Sequence, residues 1–164
     1  MKKIAIVFIC LLITGCVSML ASALQKPHIE VFNDNDFLPY IGKGTGKIYG
    51  QAFLKTRGGE IRYGAGNQVV LIPMTPYVKE FYEREFINGE ILSPSDNRLL
   101  QYRRIVTADG QGNFEFKEIP PGEYCLLCNI YWEIPGRFPT TTGGIAHNRV
   151  TIREGEEIKV VVTY

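Results

Sequence analysis

Residues 107–124 read TADGQGNFEFKEIPPGEY, and this stretch decides the predicted fold. Asp109-Gly110 near its start is typical of a hairpin turn, and residues 120–122 (PPG) near its end form a second turn. Phe114 and Phe116 lie two residues apart between the turns, so both side chains fall on one face of a strand. The stretch therefore predicts a strand with one apolar face, whose register is set by a turn at each end.

The following residues, 124–133, alternate along their whole length and predict a second strand. One face carries Tyr124, Leu126, Cys128, Ile130 and Trp132, and the other carries Cys125, Leu127, Asn129, Tyr131 and Glu133. Cys125 and Cys128 point to opposite faces, with Cα atoms about 10 Å apart, whereas a disulfide needs less than about 7 Å. We therefore expect two structural thiols rather than a redox or metal site.

Five further segments have the composition of short strands bounded by turn residues. They are residues 47–54, 68–73, 99–107, 149–153 and 158–162. Residues 134–147, which are rich in Gly, Pro and Thr, predict a long loop. Seven short strands with regular turns are typical of an all-β sandwich.

A change of period at Thr75-Pro76 predicts a short helical insertion over residues 76–87. Thr can cap a helix, and Pro suits its first position. Residues three or four apart are neighbours on a helix, which predicts one aromatic face and places Glu80 and Glu83 on the other side. The aromatic face consists of Tyr77, Val78, Phe81, Tyr82 and Phe86. An extended aromatic segment is the alternative.

Residues 107–124 resemble the T-x-x-D-G-x-F-x-F-x-x-[IL]-P-x-G-x-Y hallmark of carboxypeptidase regulatory-like domains, also called transthyretin-like or prealbumin-like, with one residue rather than two between Thr107 and Asp109 and with Gln111-Gly112 inserted. Ile48-Tyr49-Gly50 and residues 70–75 (VLIPMT) resemble the first two strands of that family. The resemblance covers about residues 46–164. It implies a single seven-stranded Greek-key β-sandwich of the prealbumin type. Such domains usually serve as accessory modules, and nothing in the motif is catalytic.

The amino terminus has the order of a secretory signal: two lysines, an apolar run over residues 4–13, then small residues. The apolar run is about half the roughly 20 residues of a membrane-spanning helix. Residues 13–16 (ITGC) resemble the lipobox of bacterial lipoproteins, which implies cleavage before Cys16 and a covalent lipid on its thiol. A plain signal peptide is the alternative.

We therefore predict a signal peptide over residues 1–15, a lipidated tether and amino-terminal extension over residues 16–44, and the β-sandwich over residues 45–164. Multiple acyl chains anchor a protein stably, so the membrane is an expected partner. Val17 stands where an Asp commonly retains lipoproteins in the inner membrane, which favours the outer membrane.

The charge balance gives no reason to expect nucleic acid as a partner. The chain has 18 Lys and Arg and 17 Asp and Glu, and Lys2 and Lys3 leave with the signal peptide. The mature chain then carries one more acid than base, whereas binding to phosphates needs clustered cations.

No residue pattern indicates catalysis, a metal site or a cofactor other than the lipid. His28 and His147 are the only histidines. Ser93, Asp96 and His147 supply the residue types of a hydrolase, but in no motif. We therefore predict that the protein is not an enzyme and rank a hydrolase last among the functions.

The first hypothesis is a membrane-anchored envelope lipoprotein that acts as a non-enzymatic protein-binding or structural module. It would use the insertion or the loop over residues 134–147. The alternative is a carbohydrate- or cell-wall-binding module, because aromatic side chains at a sandwich edge can stack on sugar rings. The candidate binding residues are Tyr131, Trp132, Tyr77 and Phe81.

Overall fold

The computed structural model describes residues 25–164, which form eight strands in two sheets and four short helical segments, the last of them a 3₁₀ helix over Asn97–Gln101. The strands are β1 (Gly46–Lys55), β2 (Ile61–Tyr63), β3 (Gln68–Pro73), β4 (Arg104–Thr107), β5 (Asn113–Ile119), β6 (Gly122–Ile134), β7 (Thr140–Ile152) and β8 (Glu157–Val162). The predicted all-β sandwich is confirmed. The predicted signal peptide and Cys16 lie outside the described residues. Within residues 25–164, no helix is long and apolar enough to cross a membrane.

The first sheet is built around β1, which pairs with antiparallel β5 and parallel β8, while β2 pairs with its carboxyl-terminal end. The second sheet has the antiparallel order β4-β3-β6-β7. The main core lies between the sheets, where Leu71 of β3 and Leu126 of β6 are fully buried with Ile48 of β1. The alternation predicted for β6 is confirmed, since Tyr124, Leu126, Cys128 and Ile130 all belong to this core.

Two details of the predicted strands are wrong. The strand count is eight rather than seven, because Ile61–Tyr63 forms β2 against the end of β1. Residues 134–147 are not one long loop: β7 begins at Thr140 and pairs with β6 as far as Ile134, so only residues 135–139 connect them. The Gly and Thr residues of this stretch suggested a loop, but pairing with β6 determines its structure.

The turns around β5 connect the two sheets rather than forming hairpins within one. β5 lies in the first sheet, whereas β4 and β6 lie in the second. Asp109 stabilises the first turn, because its carboxylate accepts hydrogen bonds from the backbone N–H groups of Gln111 and Asn113 at 2.8 and 2.9 Å. The predicted turn residues are therefore correct, and their role is to change sheets.

The helical insertion packs on the outer face of the second sheet. It comprises α1 (Pro76–Phe81) and a π-helical turn (Tyr82–Ile87), and the Thr75 side chain caps α1 as predicted. A second core fills the space beneath it. Its buried members are Phe32, Phe37, Ile72, Met74, Tyr77, Val78, Tyr82, Leu99 and Cys125. The middle strands of this sheet are thus buried on both faces, which explains the apolar run in β3.

Residues of the amino-terminal extension fold onto the insertion. Phe32 and Phe37, the latter in a 3₁₀ helix (Asp34–Tyr40), are buried in the second core. Glu80 does not point to solvent as expected: its two carboxylate oxygens accept the backbone N–H groups of Ile29 and Glu30 at 2.9 and 2.8 Å. Burial opposes ionisation of Glu80, but these donors and Arg84 outweigh it and hold the pKa of the carboxyl below its usual value.

Candidate functional site

A cleft opens at one end of the sandwich, between the β1–β2 turn and the far end of the β6–β7 pair. β3 accompanies β6 only as far as Cys128, so residues 129–134 and 140–145 project beyond it as a two-stranded arm. The cleft has a volume of about 760 Å³. We call it the Trp132 cleft; it is lined by Lys55, Thr56, Arg57, Gly58, Glu60, Arg62, Trp132, Ile134, Thr142, Gly143 and Tyr164.

Trp132 supplies an aromatic surface in this cleft. It is the only tryptophan of the chain, and it is half-buried against the main core. The Arg62 guanidinium lies over the indole, with its central carbon 5.7 Å from the ring centroid, which is within cation–π range. Glu60 orients Arg62 through a 2.9 Å ion pair. The cleft therefore combines a flat apolar surface with a planar hydrogen-bond donor at its edge.

Two adjacent glycines of β7 lie near the cleft, and one of them, Gly143, lines it. Gly143 has φ +130°, and a Cβ there would lie 2.1 Å from the Ile130 carbonyl oxygen. A Cβ at Gly144 would lie 2.9 Å from the hydroxyl oxygen of Tyr164. Glycine at both positions thus allows the arm to pair closely and Tyr164 to lie against it.

The structure separates the four predicted binding residues. Trp132 lines the cleft, whereas Tyr131 is 56% exposed and points to the opposite face of the arm. Tyr77 is wrong as a surface candidate: it is only 4% exposed, and its hydroxyl oxygen accepts the backbone N–H of Asp96 at 2.9 Å. The aromatic face of α1 turns inward because it covers apolar residues of the second sheet.

Phe81 lines a different feature, a groove of about 540 Å³ on the outer face of the second sheet. Phe86 lies beside it, with the ring centroids 5.5 Å apart. Asn129 and Gln68 contribute amide groups to the lining. This outer groove is smaller than the Trp132 cleft and lies on the same face of β6 as Tyr131.

The residues that form the cleft with Trp132 were not predicted as site residues. Arg62 lies in β2, a strand that the sequence patterns did not predict, while Lys55 ends β1 and Arg57 lies in the turn between the two strands. The run KTRGGEIR at residues 55–62 shows its charges plainly, but charges beside a Gly-Gly turn are common on surfaces. Only the pairing of β2 with β1 brings them opposite Trp132.

Ser93, Asp96 and His147, the residue types of a hydrolase, each bond to a different partner. The Ser93 hydroxyl donates to the Lys26 carbonyl oxygen, and Asp96 pairs with Arg98. His147 shares a 2.9 Å hydrogen bond with the Tyr82 hydroxyl, and burial lowers its pKa. No group of three or more His, Cys, Asp or Glu side chains in the described chain is arranged to hold a metal ion.

Cys125 and Cys128 are both free and buried, on opposite faces of β6. Burial raises the pKa of the Cys125 thiol to about 12 and that of Cys128 to about 11. Thiolate is the reactive form, so both side chains have the character of structural thiols.

No family model matches this chain, and no curated protein matches it. Among solved structures it is similar to a candidate carbohydrate-binding protein of Pseudomonas aeruginosa, at 27% identity over 82% of this chain and 99% of that one, with a TM-score of 0.70. It also matches the major pilin subunit of Bacillus cereus, at 16% identity over 73% of this chain and 30% of the pilin, with a TM-score of 0.41. The first similarity supports the sandwich fold. Membership of the lipoproteins and of the carboxypeptidase regulatory-like domains stays a prediction.

Proposed function

We propose that this chain is a carbohydrate-binding module and that the Trp132 cleft holds the sugar. The observation that carries the proposal is the indole of Trp132 beside Arg62, Glu60 and Thr142 in one open cleft. Small-molecule sites typically combine aromatic surface with a few convergent polar groups. A pyranose needs that combination, because its C–H face is apolar and its hydroxyl groups form hydrogen bonds at the edge.

The similarity to the Pseudomonas aeruginosa protein supports the same function. It extends over 82% of this chain and 99% of that one, so it is not confined to a local motif. The proposal involves binding without catalysis.

Replacement of Trp132 by Ala is expected to weaken glycan binding at least tenfold. The variant loses the surface on which a sugar ring would stack, and tenfold in affinity corresponds to about 1.4 kcal/mol. The measurement is calorimetric titration of the full-length protein, purified in detergent, with the oligosaccharide that a glycan array selects.

Tyr131→Ala is the matched control, because it removes an adjacent aromatic side chain that points to the other face of the same strand. It is expected to leave the affinity within about twofold, and thermal unfolding of both variants checks that each is folded. Equal losses in both variants, or no loss in either, would contradict the proposed site.

A protein partner, the first hypothesis from the sequence, would use the other face and tip of the arm. Tyr131 and Phe138 are 56% and 81% exposed there. The same pair of variants separates the two functions. Crosslinking in intact envelopes that is lost in Tyr131→Ala and retained in Trp132→Ala would favour the protein partner.

We also propose that the module is held on the cell envelope by a lipid on Cys16. Metabolic labelling with an alkyne analogue of palmitate is expected to mark the wild-type chain and to leave Cys16→Ala unlabelled, because the lipid is attached through the sulfur of Cys16. Cys10→Ala is the matched control, since Cys10 lies within the predicted signal peptide and its loss should not reduce labelling. Label retained in Cys16→Ala would refute the anchor.

A further inference from the structure

The Trp132 cleft carries an excess of positive charge. Lys55, Arg57 and Arg62 line it together with a single acidic side chain, that of Glu60. Glu60 is already paired with Arg62 at 2.9 Å, whereas Lys55 and Arg57 form no ion pair with any residue of the described chain. Two cations at the rim are therefore uncompensated.

This excess is local, because the protein around it is slightly acidic. Lys2 and Lys3 are the only charged residues before residue 25, so the remainder has one more acid than base. A cleft lined by one sign of charge raises the local concentration of oppositely charged ligands.

The turn that carries the rim cations has a defined shape. Thr56 and Glu60 are joined by a 2.8 Å backbone hydrogen bond, and the Thr56 hydroxyl accepts the Glu60 N–H at 3.1 Å. These bonds hold Arg57 within the turn and Lys55 at the end of β1, on the side of the cleft that faces Trp132. The Nε of Arg62 is buried and has no acceptor among residues 25–164, whereas one of its terminal nitrogens pairs with Glu60.

From these observations we infer that the cleft selects acidic sugars, that is, rings bearing a carboxylate, as in a uronic acid. The inference rests on the proposed function and specifies its ligand class. The ring stacks on Trp132, and its carboxylate lies among Arg62, Arg57 and Lys55. Guanidinium groups suit this role, because their planar donors match the two oxygens of a carboxylate.

The test compares oligogalacturonate with its fully methyl-esterified form, which keeps the rings and removes the charges. Calorimetric titration of the full-length protein is expected to show at least tenfold tighter binding of the acid form. The preference should decrease as NaCl is raised from about 50 to about 500 mM, because salt screens exposed charges. Arg57→Gln should weaken binding of the acid form severalfold more than it weakens binding of the ester.

Arg153→Gln is the matched control. Arg153 is an exposed arginine without an ion pair in the described chain, and it follows the end of β7 remote from the cleft. If the acid form and the ester bind with equal affinity, the charge selection is wrong. The proposed function still stands in that case if Trp132→Ala weakens binding of both forms. If Arg57→Gln and Arg153→Gln lower the affinity for the acid form equally, the preference is an effect of net charge, and selection by the cleft is wrong. Absence of binding to every glycan would overturn both proposals.

Discussion

Replacement of Gly50 by Ala is expected to prevent the domain from folding stably. Gly50 lies in the middle of β1, where β1 pairs with β8, and a Cβ there would lie 1.7 Å from the carbonyl oxygen of Val160. The obstructing atom belongs to the backbone of a neighbouring strand, so it cannot rotate away as a side chain would. Ordinary overpacking costs about 1–3 kcal/mol, and separation of β8 from β1 should cost more than about 4 kcal/mol.

The measurement is urea unfolding followed by circular dichroism, with Gly110→Ala as the matched control. Gly110 lies in a turn, and a Cβ there would meet no other atom within 4 Å. The same substitution should therefore change stability by less than about 1 kcal/mol at this position. If Gly50→Ala unfolds at the same urea concentration as Gly110→Ala, then β1 and β8 do not approach each other as described.

Phe37→Ala is expected to lower the free energy of unfolding by about 3–5 kcal/mol, the usual cost of removing a buried aromatic ring. Phe37 is fully buried, and its ring stacks on Tyr102 and Phe32 with centroids 4.2 and 5.1 Å apart. The residue lies before the predicted start of the sandwich at residue 45. A loss of this size would show that the extension stabilises the fold.

Leu38→Ala is the matched control for Phe37→Ala. Leu38 follows Phe37 directly in the same 3₁₀ helix but is 59% exposed, so its truncation should cost less than about 0.5 kcal/mol. Urea unfolding of both variants makes the comparison. Equal stabilities would mean that residues 34–40 are only loosely attached and that the sandwich folds without them.

The insertion shows what local patterns predict well and where they stop. Thr75-Pro76 and the four-residue spacing of Tyr77 and Phe81 correctly indicated a short helical segment with an aromatic face. They did not indicate that this face covers the second sheet, which buries Tyr77. Periodicity identifies the apolar side of an element, but not what that side packs against.

The candidate site was predicted in part for the same reason. Trp132 was identified from its position near the end of an alternating strand. The Arg62 that lies over its ring is 70 residues earlier in the chain, in a strand of three residues that is too short to show a period. Contacts across such separations depend on strand pairing, which leaves no local signal.

Alternation, capping and turn residues predict the sandwich, the two faces of β6, the turns around β5 and the helical insertion, because these signals act over a few neighbours. Three features are visible only in the folded chain: β5 belongs to the other sheet from β4 and β6, residues 140–147 are part of β7, and Arg62 lies against Trp132. These features depend on which backbone groups pair over long distances. That choice is settled by burial and hydrogen bonding of the whole domain rather than of any one segment.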